Sequence, residues 1–354
     1  MLLVIFGAGA SYDAVDITAV RQVQAAMNFR PPLANDLFAD RPNFNALAAR
    51  YPQFGDRILP LRRAAKGPGF NLERELQAIR AEIATYPAAT SELAGIQFYL
   101  RDLLTECGDR WYSTSAGLTN YQELLGRIDR YRVTVAPRLE RDQLVAFVTF
   151  NYDTLIDRAL GQHPARLHLN VVEDYGGREP YKLFKPHGSV DWGQVVDWTP
   201  QQMGNEQIVN FVIENIASLK VRHGYVMNPG REITVSVENS PYRRPVIPAI
   251  AIPVVEKSDF ACPDSHLASL DQCLSRITHV VTIGWRGSEQ HYLDRFIKPI
   301  ASAKYLVVAG GPLEAVATLR TLQDKAGVEH GMASERGGFT EFLASDELEM
   351  FLSA

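Results

Sequence analysis

Residues 2–11 read LLVIFGAGAS. Five apolar residues run without a polar break, then stop at two glycines separated by one residue. A strand with one wet face alternates apolar and polar positions. An unbroken run of this length is a strand covered on both faces, the situation of parallel sheets packed between helices. GAGAS then reads as the tight turn from that strand into a helix, and the pattern as a whole reads as the first β–α unit of an α/β sheet.

The rest of the chain extends this reading. QLVAFVTFNYD (143–153), THVVTIGW (278–285) and AKYLVVAGG (303–311) repeat the buried run, and RLHLNVV (166–172) and YKLFKPHG (181–188) read as shorter strands. TLIDRAL, LASLDQCLSRI, QHYLDRFIKPIA, EAVATLRTLQDKAG and GFTEFLASDELEMFL carry apolar residues at helical spacing between and after them. From residue 31 to 142 the pattern is almost wholly helical, as in NLERELQAIRAEIATY (71–86), ELAGIQFYLRDLLTECGDRWY (92–112) and NYQELLGRIDRY (120–131). Residues 190–258 hold a polar helical candidate and a proline-rich extended stretch, SPYRRPVIPAIAIPVVEK (240–257), with no clear organisation. Buried strands alternating with helices predict a doubly wound, mainly parallel, Rossmann-like α/β sheet flanked by helices. The expected domain is 1–354, with 31–142 a helical insertion or cap.

Composition narrows the function classes. A net charge of −5 gives no general attraction to nucleic acid or anionic membrane, although Arg243 and Arg244 leave a local basic patch open. Three scattered cysteines, Cys107, Cys262 and Cys273, are too few for a disulfide framework or a cysteine zinc site. The apolar opening has no basic segment before it, and no stretch approaches the ~20 apolar residues that cross a bilayer. A soluble, cytoplasmic protein is expected.

Sites in such sheets gather at the carboxyl ends of the strands. Those ends carry Gly7, Ala8, Gly9, Ala10 and Ser11; Asn151 and Asp153; His187 and Ser189; Gly284 and Trp285. Glycines let a backbone approach a pyrophosphate at a helix start. They equally serve a tight turn with no ligand, just as Asn151 equally serves as a helix cap. The usual dinucleotide fingerprint needs a third glycine where Tyr12 stands and an acidic strand end about twenty residues on. Neither is present, which argues against a hydride-transferring dehydrogenase.

GAGAS after the first strand, FNYD after a central strand, KPHGS, and IGW before a terminal strand resemble the sirtuin superfamily. In order and spacing they are most similar to the NAD+-consuming sirtuin-like domains of bacterial anti-phage defence systems. RPPLANDLF (30–38) and IPVVEK (252–257) are similar to that branch as well. The resemblance covers nearly the whole chain. The four-cysteine zinc ribbon of the deacetylases is missing, so no zinc is expected, and their acidic–Phe–Arg segment is replaced by RPPLAND.

The resemblance implies NAD+ as substrate, Asn151 and His187 as the catalytic pair, and Gly7–Ser11 around the pyrophosphate. It implies Asp153 orienting Asn151 or the ribose, and Ser189, Gly284 and Trp285 near ribose or adenine. It further implies homo-oligomers and a HerA-like ATPase as partner. The chemistry suits these residues. Nicotinamide leaves NAD+ as a neutral ring, so the site needs no acid for the leaving group. It needs a polar cradle and a base for water or a hydroxyl. The expected activity is NAD+ glycohydrolysis. NAD+-dependent deacylation or ADP-ribosylation, and a non-catalytic NAD+ or ADP-ribose sensor, are the alternatives. A nuclease ranks last, because SDELE and LERDQ read as solvated helix faces.

Overall fold

The computed structural model describes residues 1–20, 26–67, 70–164, 167–177, 180–238, 240–252 and 260–354. Among them the strands are β1 (Leu2–Phe6), β2 (Val145–Thr149), β3 (Tyr181–Phe184), β4 (Gly188–Val195), β5 (Val226–Met227), β6 (Thr234–Val235), β7 (Arg244–Ile250), β8 (His279–Ile283), β9 (Lys304–Val308) and β10 (His330–Ala333). The chain divides into two compact units. The first comprises 1–31, 108–187 and 262–354, and the second 32–107 and 188–261.

The first unit is built on a six-stranded sheet in the order β10-β9-β8-β1-β2-β3, with every pairing parallel. Helices flank it, as the doubly wound reading requires. β1 sits between β8 and β2, with Leu2 level with His279 on one side and Val145 on the other. All five residues of β1, β2 and β8 are buried, as strands covered on both faces must be. From β1 the chain passes to β2 and β3, then returns to the other flank for β8, β9 and β10. The order reverses between β1 and β8, so their carboxyl ends, at Gly7 and Gly284, open the crevice where ligands of such sheets bind.

The helix Asn120–Arg130 shows how periodicity becomes packing. Tyr121, Leu124, Leu125 and Ile128 form its buried stripe at spacings of three and four. At its start the Thr119 N–H donates to Gln122 Oε1, which satisfies one of the helix's orphan donors. Tyr121 is the end of that stripe and packs edge-on against Phe6 of β1 (5.1 Å) and Phe339 (5.5 Å).

Two expectations fail locally. RLHLNVV forms no strand in its described part; Asp174 Oδ2 accepts from Asn170 N (2.9 Å) and Val171 N (3.1 Å), taking donors a ladder needs, and a 3-10 turn follows at Val172–Asp174. QHYLDRFIKPIA is a broken helical path, passing through a π-turn at Leu293–Ile297 into a 3-10 turn at Lys298–Ile300 that contains Pro299. Proline has no N–H to continue an α-helix.

The second unit holds the helices Pro42–Ala48, Gly55–Ala64 and Leu72–Glu82, and an antiparallel sheet ordered β5-β4-β7-β6. That sheet and the helix Asn205–Asn215 organise the stretch left open from sequence. Arg243 is engaged with Glu232, Thr234 and Ser236, and Arg244 with the Thr199 hydroxyl. Most of IPVVEK lies outside the described residues. No described helix is long and apolar enough to cross a membrane.

His279 on β8 gives a pH test of this core. Burial lowers its pKa to about 4, with Arg141 and Lys304 adding to the effect. The folded protein therefore keeps it neutral while the unfolded chain protonates near pH 6.5. Its contribution is fully present above pH 6.5 and is lost as pH falls toward 4, by about 3 kcal/mol in all. Urea unfolding of wild type and His279→Gln across that window should show a flatter profile for the variant. Parallel profiles would mean that His279 is protonated in the fold.

Candidate active site

Three glycines meet at the β1/β8 crevice. Gly7 N donates to Ile283 O (3.0 Å) and Gly9 N to Gly284 O (3.2 Å), so each strand-end turn is hydrogen-bonded to the other. The approach leaves no room for side chains. A Cβ on Gly7 would lie 2.5 Å from Gly284 O, and one on Gly9 would lie 2.8 Å from Gly284 Cα. The GAG motif is thus accounted for by contact between two turns. Gly7, Ala10 and Ser11 are buried, and Ala8 and Gly9 are the partly accessible residues of the loop.

Asn151 follows β2 and reaches across to this loop. It is 7% exposed, and its Nδ2 donates to Gly7 O (2.9 Å) and Ser11 Oγ (2.8 Å). Because Gly7 O is a carbonyl that can only accept, the amide nitrogen must face it, and the side-chain Oδ1 faces away. Tyr121 closes the arrangement: its OH lies 3.0 Å from Ser11 Oγ and 3.4 Å from Asn151 Nδ2. Asp153, two residues beyond Asn151, is buried as well. Burial pushes its carboxyl above the ordinary carboxylate range, while Ser11 and the charge of Lys185 pull the other way. Burial likewise raises the Tyr121 phenol, so it stays a neutral hydroxyl.

His187 comes from the end of β3, beside β2. Its ring is 2% exposed and packs against Phe150 (4.8 Å) and Tyr152 (6.2 Å), the two neighbours of Asn151 in sequence. Beneath the turn, Lys185 is 0% exposed; its Nζ donates to Asp153 O (2.6 Å) and Asp157 Oδ2 (3.0 Å), and Tyr175 OH donates to Asp157 Oδ1 (2.7 Å). This buried cluster ties the KPHG turn to the NYD turn.

The structure thus brings together Gly7, Gly9, Ser11, Asn151, Asp153 and Gly284 through direct bonds or contacts, and His187 through the residues flanking Asn151. Trp285 stacks against Phe150 (5.4 Å), and its Nε1 donates to Glu289. Ser189 is a buried residue of β4, in the second unit. That unit holds a cavity of about 330 Å3 lined by residues such as Arg80, Gln97, Tyr225 and Ile250, and none of the candidate catalytic or NAD+-binding residues lines it. Among the described residues, no three His, Cys, Asp or Glu side chains gather as a metal site.

Sequence reasoning overlooked Tyr121, Lys185 and Asp157. Tyr121 is one apolar position in an amphipathic stripe, which signals nothing more. Lys185 and Asp157 stand inside quoted motifs, and the available signal was a lysine closing an apolar run ahead of a Pro-His turn. Arg30 was also passed over; it is buried, lies 3.5 Å over the Tyr12 ring, donates to Tyr12 O (2.7 Å) and pairs with Asp13.

No protein-family model matches the sequence, and no curated protein does. Among solved structures the chain is similar to Sir2 with a p53 peptide and NAD+ (14% identity, 99% of this chain and 93% of that one, TM-score 0.39). It is similar to a structure describing sirtuin substrate affinity (13%, 100% and 94%, 0.36) and to a mutant Sir2 homologue with ADP-ribose (10%, 93% and 94%, 0.37). Identities and TM-scores this low assign neither a family nor an activity to the chain.

Proposed function

We propose that the chain cleaves the nicotinamide–ribose bond of NAD+, with water, to nicotinamide, ADP-ribose and a proton. The observation that supports this most is the orientation of Asn151. Both of its amide hydrogens are spent on Gly7 and Ser11, so Oδ1 is the atom left to accept from a ribose hydroxyl or the attacking water. His187, whose ring packs on both neighbours of Asn151, takes the proton. The nicotinamide departs as a neutral ring and needs no acid. The pyrophosphate rests against Ala8 and Gly9, the accessible edge of the loop, with Ala10 and Gly284 behind them. By the sequence resemblance, Asp153 orients Asn151 or the ribose, and Ser189 and Trp285 are assigned to ribose or adenine.

Nicotinamide release from NAD+, followed by chromatography, tests this reading. His187→Ala and Asn151→Ala should each lower turnover by about 100-fold or more while circular dichroism stays native. Near-wild-type turnover in either would sink the assignment. Binding of NAD+ without release would favour a sensor. O-acyl-ADP-ribose formed with an acylated peptide, or a labelled protein acceptor, would favour deacylation or ADP-ribosyl transfer.

On the sequence resemblance alone, the same proposal extends to one cytoplasmic NAD+-hydrolysing domain over 1–354 with 31–142 inserted. It extends also to homo-oligomers, a HerA-like ATPase partner and NAD+ depletion in anti-phage defence. Light scattering that showed a fully active monomer would count against the oligomer and the partner.

A further inference from the structure

We propose that the cavity of the second unit is a binding site for a small carboxylate carried on an apolar body. Its volume of about 330 Å3 holds roughly ten to twelve heavy atoms, at about 30 Å3 for each. The walls come from separate parts of that unit. The helix Leu72–Glu82 and the residue after it supply Arg80 and Ile83, and the helix starting at Ala88 supplies Leu93 and Gln97. β4 supplies Gln194, and β7 supplies Pro248 and Ile250. Gln97 Nε2 donates to Ile250 O (3.1 Å), which ties helix to sheet and fixes that side of the cavity.

The chemistry of the lining selects the ligand. Voids left by imperfect packing are apolar and stay dry. Here Arg80 and Gln194 line the space, and among the described residues neither the guanidinium nor the carboxamide has a hydrogen-bond partner or an ion pair. No Asp or Glu lines it among the described residues, so no carboxylate there competes for Arg80. A guanidinium grips a carboxylate through two parallel N–H donors, and the amide nitrogen of a glutamine adds a further donor. Arg80 is exposed and Gln194 partly so, which sets the charged end of the ligand toward solvent. Leu93, Pro248 and Phe260 give apolar surface to the rest of it. A cation would be repelled by Arg80, and a neutral ligand would leave the guanidinium unanswered. None of the residues assigned to NAD+ lines the cavity, so the inference does not rest on the NAD+ reading.

The probe is 3-phenylpropionate, a carboxylate of the right size. It is titrated into the full chain carrying 13C-methyl isoleucine, and the Ile83 and Ile250 signals are assigned by their loss in Ile83→Val and Ile250→Val. Both signals should shift, with a Kd of about 0.1–1 mM, ordinary for so small a ligand. The neutral 3-phenylpropanamide and the cationic 3-phenylpropylamine should each bind at least tenfold more weakly. Arg80→Gln, a change at an exposed position, should weaken the acid at least tenfold while circular dichroism stays native. Ile83→Trp fills the cavity and should abolish the Ile250 shift. No shift of either signal at about 10 mM acid, an amide that binds as tightly as the acid, or a Kd in Arg80→Gln within twofold of wild type would each overturn the inference. An Ile250 shift that persists in Ile83→Trp would place the acid elsewhere and overturn it too. Nicotinamide release is not a readout of this experiment, so its failure leaves the NAD+ reading as it stands.

Discussion

Lys185→Met is expected to lower the stability of the first unit by about 3–5 kcal/mol, the usual effect of removing one member of a buried ion pair. The Lys185 ammonium is wholly enclosed and donates to the Asp157 carboxylate and the Asp153 carbonyl. Methionine fills a similar volume, so little packing is lost. What remains is a buried carboxylate that keeps the Tyr175 hydroxyl but has lost its countercharge. The double variant Lys185→Met, Asp157→Leu removes both charges and should recover more than half of the loss. Urea unfolding of the single and double variants decides the matter. A single-variant cost under about 1 kcal/mol is the value of an exposed pair, and would show that water reaches the ammonium. Because the cluster joins the two turns that carry His187 and Asn151, turnover of the single variant should also drop.

The second large effect is expected at Gly284. Its φ is +63°, and an added Cβ would lie 2.3 Å from Ala10 N and 2.5 Å from Gly9 C. The obstructing atoms are backbone, so no side chain can swing aside. The left-handed conformation alone costs a non-glycine residue about 1 kcal/mol, and overpacking adds about 1–3 kcal/mol or more. Gly284→Ala should therefore cost about 2–4 kcal/mol or more and pull the Gly7–Ser11 loop out of place. Gly327 separates the two contributions. Its φ is +73°, yet nothing lies within 4 Å of the added carbon. Gly327→Ala should cost only about 1 kcal/mol. Equal midpoints in thermal unfolding for the two variants would mean that the turns separate at no cost.

Much of the sheet was legible because β1, β2, β8 and β9 are central strands whose both faces must be apolar, and that pattern has few other readings. Asn151, Asp153 and His187 could be picked out for a related reason: polar residues directly after such runs stand at strand ends. The second unit was opaque. β4 and β7 mix glycine, proline and polar residues, and their register shifts between Gly188 and Gly193, so neither the period of two nor an unbroken run survives in the sequence. The β10 edge was missed because its first three residues are exposed and one is glycine. Tyr121 could not be found at all from sequence. Its hydroxyl meets Ser11 across 110 residues, and no local pattern encodes a contact of that separation.

The hydrogen bonds from Gly7 to Ile283 and from Gly9 to Gly284 give the loop its shape from within the fold. A segment that must be ordered by its ligand lowers affinity by the entropy of that ordering. Here folding has already met that cost. On the proposed reading, a nucleotide meets the Gly7–Ser11 loop already in its final form, so ordering of that loop takes nothing from its affinity.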